Sequence, residues 1–456
     1  MQILILLMLV VVTTFEFFTR GDHWRQWAIL PNGFQYCPEL GGVIAAVIVV
    51  IAGTRNRFQF VRSQYLMVFG ALSLTIICGT LINDVGAGPI LAGARSYLWA
   101  VPWFFVPAVF CFTDAQVKTQ LKLLLAIALL QLPFAVQQRL GTKGQGSLTG
   151  DFTSGTLMIS SIMSIFLIGA ICVAAAMFVR GRLKLWQFVL LFLLLLVPTT
   201  INETKGTLFL LPVSLLVAFL VASRPGRRLR VILLTSALVS AFGAAFFPIY
   251  EYFNADRQYS VPLGELLTDR EKLEKYLYHS EDIGAVRPAG RVDSVVVPFK
   301  RMVLDPPLLA FGFGIGNASD SALGRRFIGA QFEIYGPYLR SSAGRLLVEL
   351  GSFGVTLVFV LMWLVYTDCR VVGRRNEGTI SALAAGCAGV TVLLSLAMFY
   401  KDIIIHPSLS FAFWYFSGLI AAERMRSVDG SGSLAHNAGS GMVEGNRVAP
   451  LPASEG

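Results

Sequence analysis

The sequence predicts an all-α polytopic membrane protein with about 12 transmembrane helices. Three observations predict it. The chain is poor in charge: of 456 residues only 14% are charged and 55% are hydrophobic, whereas soluble domains carry about 25% charged residues. The mean hydropathy is +0.67. Apolar runs of about 20 residues, the length that crosses a bilayer, recur along the chain. The 34 Phe and 43 Gly agree with this, since aromatic residues settle at lipid and interface positions and Gly is commoner in membrane helices than in soluble ones.

Taken in order, the apolar runs cover 2–18, 38–53, 65–82, 95–112, 119–137, 154–179, 185–200, 206–222 and 230–248, then 343–366, 379–399 and 406–422. The first run, within MQILILLMLVVVTTFEFF, lacks a basic leading segment and a small-residue cleavage site, so it reads as an uncleaved first helix. Orientation follows from Lys and Arg. Alternate connections and the segment after the last run hold about 17 of them, among them Arg62, Lys118, Arg180, Arg224, Arg374 and Arg424; the short connections on the other side hold about 7, including Arg139, Lys205 and Lys401. The richer side is expected in the cytoplasm, with both termini, as an even number of spans requires.

One connection is long. Residues 249–342 hold about 11 basic and 12 acidic residues and are expected outside, between nine helices in 1–248 and three in 343–426. Within it, 263–278 (LGELLTDREKLEKYLY) has the spacing of a surface amphipathic helix. Segment 305–316 (DPPLLAFGFGIG) is expected to be irregular, because of its two prolines and alternate glycines. Residues 427–456, rich in Gly, Ser and Ala, read as a disordered cytoplasmic tail.

Several function classes lose support at this level. The net charge of +10 would suggest nucleic acid in a soluble protein; here the basic residues gather in short loops, and no nucleic-acid partner is expected. The six cysteines follow no metal or redox spacing, and His23, His279, His406 and His436 lack metal-ligand spacing, so no metal and no cofactor are expected. No phosphate-binding ATPase motif occurs, which argues against an ATP-driven pump. Gly312, Gly314 and Gly316 lack the strand–helix context of a dinucleotide site.

What stands out is a set of polar groups at the outer membrane edge: Lys205 in NETKGTLFLLP, Arg291 in AGRVDSVVVPFKRM, Arg340 and Arg345 flanking SSAG, and Lys401, Asp402 and His406 between the last two runs. Ionisable residues at membrane depth are costly and often functional, although many only anchor helix ends. Several cations around one loop suit a diphosphate.

In the order and spacing of four segments over about 139–366, the chain resembles the O-antigen ligase and polymerase superfamily of bacterial membrane glycosyltransferases. SLTGDFTSGTLM (147–158) is similar to a Gly-x-Phe segment leading into a span, and NETKGTLFLLP (202–212) to a Ser-Arg-Gly helix start, with Lys205-Gly206 at the Arg-Gly position. GRVDSVVVPFKRMVLDPPLLAFGFGIGN (290–317) is similar to a Gly-Arg, an amphipathic stretch, a Pro and a Gly-x-Gly-x-Gly; RSSAGRLLVELGSFGV (340–355) is similar to the segment ending Leu-x-Glu-x-Gly-x-x-Gly. Lys205 stands for the usual arginine, and Arg340 or a neighbouring Ser for the histidine of the ligases, a departure that favours a polymerase.

The resemblance implies a GT-C-like helical membrane fold in the bacterial cytoplasmic membrane. It implies a polyprenyl-diphosphate-linked oligosaccharide as donor, membrane lipids as surroundings, and other polysaccharide-assembly proteins as partners. An acceptor hydroxyl would attack the anomeric carbon while Arg291 and Lys205, seconded by Arg340 and Arg345, hold the departing diphosphate. Asp293, Glu333, Asp402 and His406 are candidate bases. Glu349 is either the family's Glu or an ion-pair partner of Arg345 one turn away. The N–H groups of Gly312, Gly314 and Gly316 would approach a phosphate or merely shape a turn. Rival readings are a ligase, a transporter or lipid flippase, and a non-catalytic subunit of an export complex.

Overall fold

Eight helices are long and apolar enough to cross a membrane in the computed structural model, which describes residues 1–21, 27–56, 61–141, 152–224, 226, 228–254, 264, 268–278, 289–321, 323–375 and 378–440. No strand occurs among the described residues. The helices are α1 (Gln2–Arg20), α2 (Cys37–Asn56), α3 (Ser63–Ile82), α4 (Ala87–Leu98), α5 (Pro102–Val109), α6 (Asp114–Gly141), α7 (Ser160–Val179), α8 (Leu185–Ile201), α9 (Thr207–Ala222) and α10 (Arg228–Asn254). After α10 come α11 (Arg270–Tyr278), α12 (Asp293–Met302), α13 (Pro306–Phe311) and α14 (Phe332–Tyr335), and then α15 (Ser342–Gly373), α16 (Gly378–Tyr400) and α17 (Pro407–Ser440).

The core lies around α7 and α16, whose apolar windows are 83% and 72% buried, whereas α3 and α10 are 17% buried and stand at the rim. Leu74, Ile77 and Leu81 of α3 are exposed, as a lipid-facing helix requires. One end of the bundle is basic and clasped. Asp368 of α15 takes Arg62, Arg424 of α17 and the Tyr65 hydroxyl (2.9 Å), and Asp114 takes the Thr379 N–H at 2.8 Å. The opposite end carries the turns α8–α9 and α16–α17 and the start of α15.

The structure departs from the sequence reading in five places, each with a local cause. The predicted span 95–112 is broken into α4 and α5. Pro102 has no N–H for the Leu98 carbonyl, which instead receives that of Val101 at 3.2 Å. Gly42 admits the break, since a Cβ there would lie 2.2 Å from the Trp99 carbonyl oxygen. The span predicted from residue 154 becomes helical only at Ser160. Before it, a turn with left-handed Gly155 and Met158 (φ 58° and 64°) is fixed by two buried amides of α6. Gln138 accepts the N–H groups of Ser154 and Gly155 at 2.9 and 2.8 Å, and Gln131 accepts that of Thr156 at 2.8 Å.

Pro306 and Pro307 open α13 instead of preventing a helix. The first turn needs no N–H from them, and Asp305 caps it by accepting the Leu308 N–H at 3.2 Å. In the long connection, α10 runs on to Asn254, past the predicted start at 249. Of the amphipathic stretch 263–278, α11 supplies the described part. Finally, α17 continues to Ser440, into the stretch read as a tail; no proline interrupts 408–449. Residues 441–456, and most of SLTG at 147–151, lie outside the described residues.

The alternate glycines act as close-packing points. Gly312, Gly314 and Gly316 all have left-handed φ (71°, 88° and 75°). Their turn enters a kink in α15 at Gly351 (φ 68°). There the freed carbonyls of Val348 and Glu349 receive the N–H groups of Phe313 and Gly314 at 2.8 and 3.0 Å. A Cβ at Gly316 would lie 2.0 Å from the Pro89 carbonyl oxygen. Gly316→Ala therefore meets both backbone strain and overlap, and is expected to cost at least about 2 kcal/mol, read as a lowered unfolding midpoint of the purified protein in detergent.

Candidate functional site

At the α8–α9 turn, the chain is held by buried polar side chains before it presents a cation. Asn202 donates to the Ser160 carbonyl at 2.8 Å and to Ser164 Oγ at 2.9 Å, and accepts the Thr204 N–H at 3.1 Å. Glu203, in left-handed backbone (φ 61°), pairs with Arg139 at 2.6 Å, with both side chains below 10% exposed. Lys205 follows, half-buried, and then Gly206. A Cβ on Gly206 would lie 2.8 Å from Cζ of Tyr400, so glycine lets this turn lie directly against that ring.

Tyr400, the last residue of α16, is also the seat of Arg291. The guanidinium lies over the tyrosine ring, 3.9 Å from its centroid, and donates to the Tyr400 carbonyl. This cation–π contact to a half-buried ring fixes the charge without neutralising it. Arg340 lies near enough to Arg291 that, after burial, the second guanidinium is what holds its pKa below the usual arginine value. The two segments are tied by Ser294 Oγ and Ser341 Oγ, 2.8 Å apart. Lys205-Gly206, Arg291 and Arg340 thus come together around Tyr400, although three separate parts of the chain supply them.

A second polar layer adjoins through the α16–α17 turn. Arg345 Nε donates to Asp402 Oδ2 at 2.6 Å, and the same guanidinium reaches Ser319 Oγ. Ser342 Oγ donates to Asp402 Oδ1 at 3.1 Å and accepts the N–H of Ile403 at 2.7 Å. Glu349, fully buried, accepts from Ser319 Oγ at 2.6 Å and from the Tyr97 hydroxyl at 2.8 Å. Arg345 is therefore ion-paired to Asp402, 57 residues away, while the Glu349 oxygens bond to hydroxyls.

The remaining sequence candidates fall around these layers. Asp293 opens α12, two residues beyond Arg291, and Glu333 is exposed on α14. The Gly312 and Gly314 N–H groups donate to backbone carbonyls, and the turn meets the second layer through Glu349. Among the described residues, no group of three or more His, Cys, Asp or Glu side chains could hold a metal ion. Sequence reasoning missed Tyr400, the Arg139–Glu203 pair and the Tyr97–Ser319 contacts to Glu349. Tyr400 carried a usable signal, an aromatic at a helix end next to Lys401, as expected at a membrane interface.

His406 closes the α16–α17 turn. Burial pushes its imidazole down to about 4, against the pull of Asp402 and with Lys401 and Arg345 adding to the depression. Between that value and the ordinary 6.5, the unfolded chain holds a proton that the folded chain does not. Stability is therefore expected to fall as pH drops from about 6.5 to about 4 and to be indifferent to this group above 6.5. Melting curves across pH 4–7 check this, with His406→Gln flattening that part of the profile. No protein-family model matches the chain, and no curated protein matches it.

Proposed function

We propose that this protein is a polysaccharide polymerase: a membrane glycosyltransferase that moves a glycan from a polyprenyl-diphosphate-linked donor to an acceptor sugar. One observation carries the reading: Lys205-Gly206, Arg291 and Arg340 surround Tyr400 at one end of the bundle. Fixed cations from separate segments are what a departing diphosphate requires. In this scheme the acceptor oxygen attacks the anomeric carbon, the bond from that carbon to the diphosphate oxygen breaks, and the lipid diphosphate leaves with the electron pair. The acceptor's proton passes to a base; Asp293, Glu333, Asp402 and His406 are the candidates. Asp402 is already engaged by Arg345 and Ser342, which suits it better to positioning.

The cation end opposes the end clasped by Arg62, Arg424 and Asp368. The greater Lys and Arg content of the latter side supports a cytoplasmic assignment for it. In the same reading the chain makes about twelve passes of a GT-C-like fold, and the site faces away from the cytoplasm of a bacterium. A flippase for a polar head would need polar groups through the bundle. The buried pairs here, Arg139–Glu203 and Arg345–Asp402, sit at helix ends, and the mid-bundle cavities are lined by apolar side chains. A ligase would use the same cations; Arg340 at the ligase histidine position favours the polymerase.

The test is purified protein in liposomes with a lipid-linked oligosaccharide donor. Donor consumption with growth of polymer is the expected result. Donor left intact by well-folded protein, or moved across the bilayer unchanged, contradicts it.

A further inference from the structure

We infer that two adjoining apolar cavities hold the hydrocarbon chain of the lipid-diphosphate donor, with its head at the cations around Tyr400. This rests on the diphosphate reading above. The first cavity, about 790 Å³, lies between α3, α15 and α17. It exists because α3 is tied at both ends and stands off in the middle. At one end Arg62 and Tyr65 hold Asp368 of α15. At the other, Asn83 donates to the Gly312 carbonyl at 2.9 Å, and Gly79 packs on the Phe311 carbonyl. Between these ties Phe69, Leu72 and Ile76 face the cavity.

Its length argues for a long chain. The α15 lining runs from Leu346 to Met362, about 24 Å of helix at 1.5 Å per residue. That exceeds the roughly 15 Å that one leaflet provides, half of a ~30 Å hydrocarbon core, so the chain of an ordinary phospholipid does not fill it. A second cavity of about 600 Å³ continues into the core between α6, α7, α16 and α17. Leu394, Leu409 and Phe413 line both cavities and form the wall between them. The hydroxyls at the walls are turned away into their own backbone. Thr391 donates to the Cys387 carbonyl at 2.8 Å, and Ser410 donates to that of Ile404.

The head end is set by the same turn that builds the cation site. Ile403 and Ile404 line the first cavity, as does Leu346. They follow directly on Asp402 and Arg345, and Tyr400 beneath Arg291 is three residues before Ile403. A chain seated in the cavity thus leads its diphosphate to the cations, and the apolar walls contribute affinity in proportion to the chain they cover.

Chain length separates this inference from the head-group reading. Affinities are measured in nanodiscs for a bilayer-spanning polyprenyl diphosphate and for geranyl diphosphate, on wild type, Leu72→Trp, Val358→Trp and Phe413→Trp. The first two substitutions fill the outer cavity; the third blocks passage to the inner one. The long probe is expected to weaken about tenfold or more in the filled variants, with geranyl diphosphate unchanged. Equal long-probe affinity in wild type and variants overturns the chain site while leaving the diphosphate site standing. Equal loss of both probes also overturns it, as the sign of a distorted head site. Failure of wild type to bind either probe overturns the diphosphate reading itself.

A photoreactive group at the chain end adds the occupant's identity. Adducts near Phe413 from the polyprenyl diphosphate, competed by unlabelled lipid diphosphate, support the inference. Equal adducts from a phospholipid carrying the same group assign the cavity to bulk lipid and overturn it.

Discussion

Arg345→Ala is expected to destabilise the fold by about 3–5 kcal/mol, because it leaves Asp402 buried without its cation. The guanidinium and carboxylate are 11% and 8% exposed and 2.6 Å apart, so neither is solvated in exchange. The same substitution removes the partner of Ser319 Oγ, whose other contact is Glu349. The double change Arg345→Ala with Asp402→Ala is expected to cost less than the two single losses added, since no isolated charge remains. Denaturant unfolding of the four proteins in detergent measures the coupling. Additive losses would mean that the two side chains act independently, against the geometry.

Arg291→Ala is expected to lower transfer by about 10²–10³-fold, the range for loss of one preorganised group that stabilises developing charge. Arg291 stacks on Tyr400, and its removal also takes away the group that sets Arg340's environment. Arg291→Lys is expected to recover only part of the activity. A lysine keeps the charge but neither the planar stacking on the ring nor the forked donors. Stability is expected to change far less than in Arg345→Ala, because Arg291 is half-buried and lies in a connecting turn. Initial rates and melting temperatures on the same preparations separate the two effects.

How much of this was legible in the sequence depends on what kind of contact decides each feature. The long apolar runs announce α1, α3, α7, α15 and α16 because composition alone drives a chain into lipid. The break between α4 and α5 was hidden inside an apolar run, although Pro102 was in plain view. The late start of α7 was not readable at all. It is made by Gln131 and Gln138, which satisfy backbone donors far along the chain, and apolar periodicity carries no trace of such pairs.

The candidate site divides in the same way. Lys205, Arg291, Arg340, Arg345 and Asp402 are visible as ionisable residues beside apolar runs, and these five lie in the two contiguous layers described above. Their pairings were not visible. Glu349 is one turn from Arg345 and looked like its natural partner, but the helix kinks at Gly351 and the pairing goes to a turn between other helices. Tyr400 escaped notice because a lone tyrosine at a helix end is ordinary until Gly206 and Arg291 are found on it.

The most direct test is the affinity of a polyprenyl diphosphate for the wild-type protein, Arg291→Ala and Tyr400→Leu, measured in nanodiscs beside melting temperatures. If the cations around Tyr400 hold the diphosphate, both variants lose about tenfold or more in affinity, a loss of about 1.4 kcal/mol, while melting close to wild type. Undiminished affinity in well-folded Arg291→Ala would contradict it, and would leave the cluster as a structural fastening between α16, the α8–α9 turn and the start of α12.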